Sequence, residues 1–305
     1  QYGGDPIFGL NDAFHRNTHP QKINLTIRLY YDDAGRIPVL PSVAAVQHQL
    51  ADDPAPRTYL PMEGLASYRE AVQRVVFGAD SQAVAQGRVA TVQTLGGTGA
   101  LKLGADLLHA AYPDSEVWIS DPAWDNHHSI FGGAGVPTRS YPYYDAATKG
   151  LAFDAMMGCL QGLPERSIVL LHPCCHNPTG VDLSREQWGE VIAVLQERGL
   201  IPFLDIAYQG MGEGMEEDAY AVRAMADAGL TVLVANSFSK NLSIYGGRCG
   251  GLSVVCGSQE QAELVLGQLK AAVRRIYSSP PWHGGHIVAG VLNDPQRHAQ
   301  WLTEV

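Results

Sequence analysis

Arg88-Val-Ala-Thr-Val-Gln-Thr-Leu-Gly-Gly-Thr-Gly-Ala-Leu-Lys-Leu-Gly-Ala-Asp-Leu-Leu-His-Ala110 reads as strand, turn and helix in immediate succession. Residues 88–94 are β-branched and apolar enough for a strand, Leu95 to Gly99 make the turn, and Ala100 to Ala110 follow with helical spacing. Glycines at such a junction let backbone N–H groups approach an anion at a helix N-terminus, where the dipole favours phosphate. Thr98 adds a hydroxyl beside Gly97. A tight turn that needs positive φ explains the same glycines equally well.

The unit repeats along the chain. Glu116 to Ser120 leads into Asp121-Pro-Ala-Trp124-Asp-Asn-His127, and Ser167 to Leu171 leads into His172-Pro-Cys-Cys-His-Asn177-Pro-Thr-Gly180. Leu200 to Leu204 leads into Asp205-Ile-Ala-Tyr208-Gln-Gly210, and Thr231 to Ala235 into Asn236-Ser-Phe-Ser-Lys240-Asn-Leu-Ser-Ile-Tyr-Gly-Gly-Arg248-Cys-Gly250. Helical stretches separate these strands. Ser184 to Arg198 is the clearest, with a serine cap, Gln187 three residues on and a glycine past its end. Apolar strands alternating with helices predict a parallel sheet covered on both faces. In open α/β sheets ligands lie outside the carboxyl ends of the strands, where all of these polar turns fall. The topology therefore gathers Gly97, Thr98, Trp124, Asn177, Asp205, Tyr208, Ser237, Ser239, Lys240 and Arg248 at one sheet edge. An aspartate after a buried strand, as at Asp205, asks for a cation or a donor.

Before the first such unit, Gln1 to Pro20 reads as an extended arm, Ile23 to Tyr31 as a strand that breaks at Asp32-Asp-Ala-Gly35, and Pro41 to Leu50 and Leu65 to Phe77 as helices. With 305 residues, 46% of them hydrophobic, the chain can bury a large core. A net charge of −10 without blocks of like charge argues against nucleic acid or an anionic membrane as partner and for small molecules. No apolar run is long enough to span a bilayer.

Five irregularly spaced cysteines do not make a disulfide framework, so a reducing, cytoplasmic setting is expected. Cys174-Cys175, with His172 and His176, lacks a second ligand pair at finger-like spacing. It reads as small buried thiols beside a loop, with no metal expected.

Of the 21 basic residues five are lysine and the rest arginine. A lysine kept at Lys240 in such a chain points to a need for its amine, which forms a Schiff base as a guanidinium cannot, although a solvated loop lysine is the plain alternative. A ligand carrying a phosphate, an aromatic ring, a protonatable ring nitrogen, a phenolic oxygen and an aldehyde uses every group at the sheet edge, and pyridoxal 5′-phosphate is such a ligand.

The segments SFSKNLSIYGGRCGG, HPCCHNPTG, FLDIAYQG, SDPAWDNH, QTLGGTGALKLGADLL and YLPMEGL resemble the class I, fold-type I aminotransferases, most closely the bacterial aromatic (tyrosine) and aspartate branch. The resemblance implies a three-layer αβα large domain with a mostly parallel sheet over residues 37–305, and an N-terminal arm with part of a small domain over residues 1–36. It implies a ping-pong transaminase that moves an amino group between an aromatic or dicarboxylic L-amino acid and 2-oxoglutarate. It makes Lys240 the Schiff-base lysine and proton carrier, and Asp205 the partner of the pyridine nitrogen. Tyr208 and Asn177 would bond the phenolic oxygen, and Trp124 would stack on the ring. Gly97, Thr98, Ser237, Ser239 and Arg248 would hold the phosphate, with His127 and His172 behind the site. Asn177 and Trp124 would also border the substrate.

The same resemblance implies a homodimer with shared sites, in which Tyr59 reaches the partner's phosphate and Arg274 the partner's substrate. Three departures stand out. Beyond Val305 the family has a further small-domain segment, with an arginine for the substrate α-carboxylate. Arg28 stands where relatives have a glycine beside that carboxylate, and so either occludes the pocket or supplies a substitute cation. Gly247 replaces a glutamate before Arg248. Two other readings stand beside this one: a cofactor-binding homologue with little transaminase activity, and a nucleotide-binding α/β protein that uses the GGTG turn.

Overall fold

In a computed structural model of the chain, residues 6–24 and 29–305 are described. The chain forms two compact units, Gln1–Val39 and Leu40–Val305. The first contains helix α1 (Pro6–Arg16), with proline at its first position and His15 and Arg16 in its last turn. The described part of the arm expected over Gln1 to Pro20 is thus largely helical. Its glycine and asparagine mask the pattern, and the amine of Lys22 caps the end by donating to the carbonyls of Phe14 (2.8 Å) and Asn17 (2.6 Å). The turn at Asp32 forms as expected, its carboxylate accepting from the N–H groups of Ala34 and Arg36. The strand expected over Ile23 to Tyr31 is not found among the described residues of that span. Residues 25–28, including Arg28, lie outside the description.

The second unit opens with α2 (Pro41–Asp52), α3 (Ala66–Phe77) and a single turn, α4 (Gln82–Ala85). Then β1 (Val89–Leu95) runs straight into α5 (Gly96–Ala111), and β2 (Val117–Asp121) leads to α6 (Asn126–Gly132). Next come β3 (Thr138–Pro142), a small hairpin of β4 (Tyr144–Asp145) and β5 (Gly150–Leu151), and α7 (Phe153–Gly162). Strands β6 (Ile168–Leu171), β7 (Ile201–Ile206) and β8 (Val232–Ser237) alternate with α8 (Arg185–Glu197) and α9 (Tyr220–Asp227). Strand β9 (Cys249–Val255) then precedes α10 (Gln259–Ile276), α11 (Trp282–Leu292) and α12 (Pro295–Glu304).

Seven strands make one sheet in the order β1-β9-β8-β7-β6-β2-β3. Strand β9 pairs antiparallel with both neighbours, and every other pairing in the sheet is parallel. Side chains alternate between two cores. Val232 and Val234 point to the face covered by α3, α8, α9 and α11, while Leu233 and Ala235 point to the face covered by α5 and α10. This is the three-layer αβα arrangement with a mostly parallel sheet that the alternation of strands and helices predicts. The capping box at α8 forms as read, with the Ser184 hydroxyl accepting from Gln187 N–H and the Gln187 side chain accepting from Ser184 N–H.

Two boundaries differ from the sequence reading. Helix α5 begins at Gly96, so the four-residue glycine turn is the first turn of the helix and not a loop before it. Strand β7 extends through Ile206, so Asp205 is a buried strand residue with Ala235 of β8 as its ladder partner.

Candidate active site

The carboxyl ends of β1, β2, β6, β7 and β8 share one edge, and β9 starts there: Cys249 pairs with Leu95, and Gly250 with Ser237. Gly250 permits this convergence. A Cβ there would lie 2.5 Å from the Asn236 carbonyl oxygen and 2.6 Å from the Gly96 carbonyl carbon, both backbone atoms. Sequence reasoning missed Gly250; its only signal was the Gly250-Gly251 pair inside an apolar run.

At one end of the edge, α5 begins without a side-chain cap, so the N–H groups of its first turn point outward unsatisfied by any side chain. Gly96, at φ +66°, leaves room for the Arg248 guanidinium, which a Cβ would meet at 2.7 Å. Arg248, itself left-handed at φ 49°, donates to the Tyr245 carbonyl at 3.0 Å and lies 3.5 Å from the Ser239 hydroxyl. A Cβ on Gly97 would meet Ser237 Cβ at 3.3 Å, and Ser239 N–H donates to Ser237 Oγ at 3.2 Å. Gly97, Ser237, Ser239 and Arg248 therefore form one group, with half-buried Thr98 in the same helical turn. A helix N-terminus, two hydroxyls and a guanidinium make a seat for a dianionic phosphate.

The middle of the edge is built on Asp205. His127 Nε2 lies 2.8 Å from Asp205 Oδ2. An ionised carboxylate only accepts, so the proton of this bond sits on His127. Burial alone would push the Asp205 pKa up. The hydrogen bond and charge of His127, joined by the charges of His172 and Lys240, outweigh it and hold the carboxyl below its usual value. Trp124 packs edge-on against His127, with ring centroids 5.1 Å apart, and His127 against His172 at 5.3 Å. His172 Nδ1 accepts from the Asn177 N–H at 3.0 Å, so in the neutral ring the proton is on Nε2. Lys240, half-buried, places its amine 4.7 Å from the centre of the Tyr208 ring. The structure thus brings Trp124, Asn177, Asp205, Tyr208 and Lys240 to one region, with an anionic carboxylate buried at its floor.

The turn after β6 is fixed from below by residues the sequence reading did not select. His176 bridges Ser120 Oγ (2.9 Å) and Thr179 Oγ1 (2.8 Å) and stacks on Tyr143 with centroids 3.8 Å apart. Asp182 accepts from the N–H groups of Cys175 (2.6 Å) and His176 (2.8 Å). A thiol hydrogen bond from Cys174 holds the Cys175 pKa below its usual value, and the same bond, with burial, holds that of Cys174 well above it. Tyr59 and Arg274 are surface residues. Tyr59 is 93% exposed, and Arg274, in the last turn of α10, donates to Ser278 Oγ.

The family model for aminotransferase class I and II matches residues 20–305. The chain belongs to this family. It is 57% identical over 305 residues to an aromatic-amino-acid aminotransferase of Escherichia coli (strain K12), an alignment covering 100% of this chain and 77% of that protein. It is 52% identical over 301 residues to an aspartate aminotransferase of Pseudomonas aeruginosa, covering 99% and 76%. Among solved structures, an aromatic-amino-acid aminotransferase from Burkholderia pseudomallei covalently bound to pyridoxal phosphate superposes with a TM-score of 0.98 at 50% identity, covering 100% of this chain and 76% of that one. Among the described residues of this aminotransferase, no helix is long and apolar enough to cross a membrane.

Proposed function

We propose that this aminotransferase holds pyridoxal 5′-phosphate at the edge formed by β1, β7, β8 and β9, and exchanges amino groups between an aromatic or dicarboxylic L-amino acid and 2-oxoglutarate. The observation that carries the reading is the buried carboxylate of Asp205, held ionised by His127 and charge-coupled to the lysine that follows β8. When bound, the cofactor supplies an electron sink for the charge left on the substrate α-carbon as its proton departs.

The residues divide this work. The first turn of α5 with Gly97 and Thr98, together with Ser237, Ser239 and Arg248, would take the phosphate. Asp205 would keep the pyridine nitrogen protonated, and His127, by holding Asp205 ionised, would keep it able to do so. Tyr208 and Asn177 would bond the phenolic oxygen, and Trp124 would stack on the ring. Lys240 Nζ would hold the aldehyde carbon until the substrate amine displaced it, and the freed neutral amine would then accept the α-proton and return it as an ammonium. The relatives' names, aromatic and aspartate, support both substrate classes. The proposal includes a cytoplasmic homodimer, with Tyr59 and Arg274 reaching the partner's site and residues 37–305 carrying the cofactor. The exposure of both residues and the five free cysteines support that picture.

Borohydride reduction of the holoenzyme followed by peptide mapping tests the assignment. Label on Lys240 is expected, and label on Lys102 or none would sink it. Lys240→Ala should lose the label and about 10²–10⁴-fold in turnover, the span of a removed general acid–base. Single-turnover reactions with tyrosine and with aspartate then rank the two substrate classes.

A further inference from the structure

We propose that Cys174, Cys175 and Asp218 form a binding site for one thiophilic divalent cation of the zinc and cadmium class, in the turn between β6 and α8. Their ligand atoms, two Sγ and one carboxylate oxygen, all lie within 4.8 Å of one another. Cys174 and Asp218 are buried, and Cys175 is half-buried, giving an entry path. The sequence reading set the cysteine pair aside because no second ligand pair at finger-like spacing supplied a further ligand. The fold brings that ligand from the segment between β7 and α9.

Adjacent residues of an extended chain point to opposite faces, so neighbouring cysteines do not ordinarily share a ligand. Here Cys175 adopts φ +50°, a conformation unfavourable for a residue with a Cβ, and the alternation is broken so that both sulfurs face the same point. Asp218 is fixed in place: Oδ2 accepts from the N–H groups of Gly210 (2.8 Å) and Gly212 (3.0 Å), and Oδ1 from that of Glu213 (2.9 Å). Three of about four lone-pair sites of that carboxylate are used, and one remains.

Thiolate ligands select zinc-like soft and borderline ions, and three protein ligands leave the fourth tetrahedral position to water. With metal–sulfur bonds of about 2.3 Å, tetrahedral ligands stand about 3.8 Å apart. Rotation of the half-buried Cys175 side chain supplies the closure. On binding, each thiol releases its proton to solvent and no electron is transferred. Under the proposed function neither cysteine holds the cofactor, whereas the other group of metal-type ligands among the described residues, His127, His172 and Asp205, would lie beside it.

Cadmium titrated into the holoenzyme tests the site, read by sulfur-to-cadmium charge-transfer absorption and by native mass for one ion per chain. Cys175→Ser should weaken binding by at least about a hundredfold, beyond the effect of losing a supporting residue. Asp218→Asn should also weaken it. Because Asp218 ties the Gly210–Glu213 turn, its variant tests folding as well as ligation, so Cys175→Ser decides; the Cys175 N–H is held by Asp182 whatever its side chain. Cys159→Ser, at the other half-buried thiol, should bind as the parent does. Equal binding by the parent and Cys175→Ser, or no ion retained by the parent, would overturn the site. Both readouts run without substrate, so they succeed or fail independently of the borohydride test of Lys240.

Discussion

Asp205 is buried among groups that can be positive, and its state depends on who donates to it. Replacing His127 by asparagine removes the charge facing the carboxylate and the bond at 2.8 Å. The cost should be about 1–3 kcal/mol of stability, measured by urea denaturation. The pH dependence has a definite sign. A carboxyl whose folded pKa is depressed contributes stability above the unfolded value of about 3.9, lost as pH falls through the lower folded value. In His127→Asn the depression weakens, so the acid-side fall in Tm should begin at higher pH than in the parent; coincident acid limbs would show that His127 does not set the Asp205 pKa. The need for a partner at Asp205 was legible in the sequence, because a lone aspartate follows an apolar run. That His127 supplies it was not, since the two meet only when β2 and β7 lie in one sheet.

At the scale of elements, α5 packs on the sheet through Gly104. A Cβ there would lie 2.3 Å from Phe203 Cζ, and Phe203 is fully buried. Gly104→Ala gains helix propensity but overpacks this contact, and should destabilise by about 1–3 kcal/mol in chemical denaturation. No change would mean that Phe203 has room to move. Most elements could be read from periodicity, since β6, β7 and β8 are short apolar runs and α8 carries its own cap. Strand β9 could not, because Cys249-Gly-Gly-Leu-Ser-Val-Val255 mixes small residues without alternation and is buried on both faces. Helix α1 was hidden because Gly9 and Asn11 interrupt its apolar residues. The Asp218 contact with the cysteine pair has no local signal, because turns after two different strands make it.

For the whole molecule, the proposed shared sites yield a mixing test. Chains bearing Lys240→Ala and chains bearing Arg274→Ala should each be nearly inactive alone. If each site takes Lys240 from one chain and Arg274 from its partner, random mixed dimers regain about a quarter of parent activity, one intact site in half of the dimers. Additive residual activities without recovery would mean that each site is built within one chain.

Strand β9, antiparallel to both of its neighbours, also orders events in time. Among the described residues strand β1 has β9 as its only ladder partner, and their register pairs Val89 with Val255 across most of the unit's length. The helix that β1 feeds supplies the phosphate seat, while β8 supplies the lysine. The rungs that join β1 to β8 run through β9, a pairing of long sequence separation and hence slow to form. Affinity for the cofactor therefore arrives with that strand, and the appearance of bound cofactor during refolding marks the closing of the sheet.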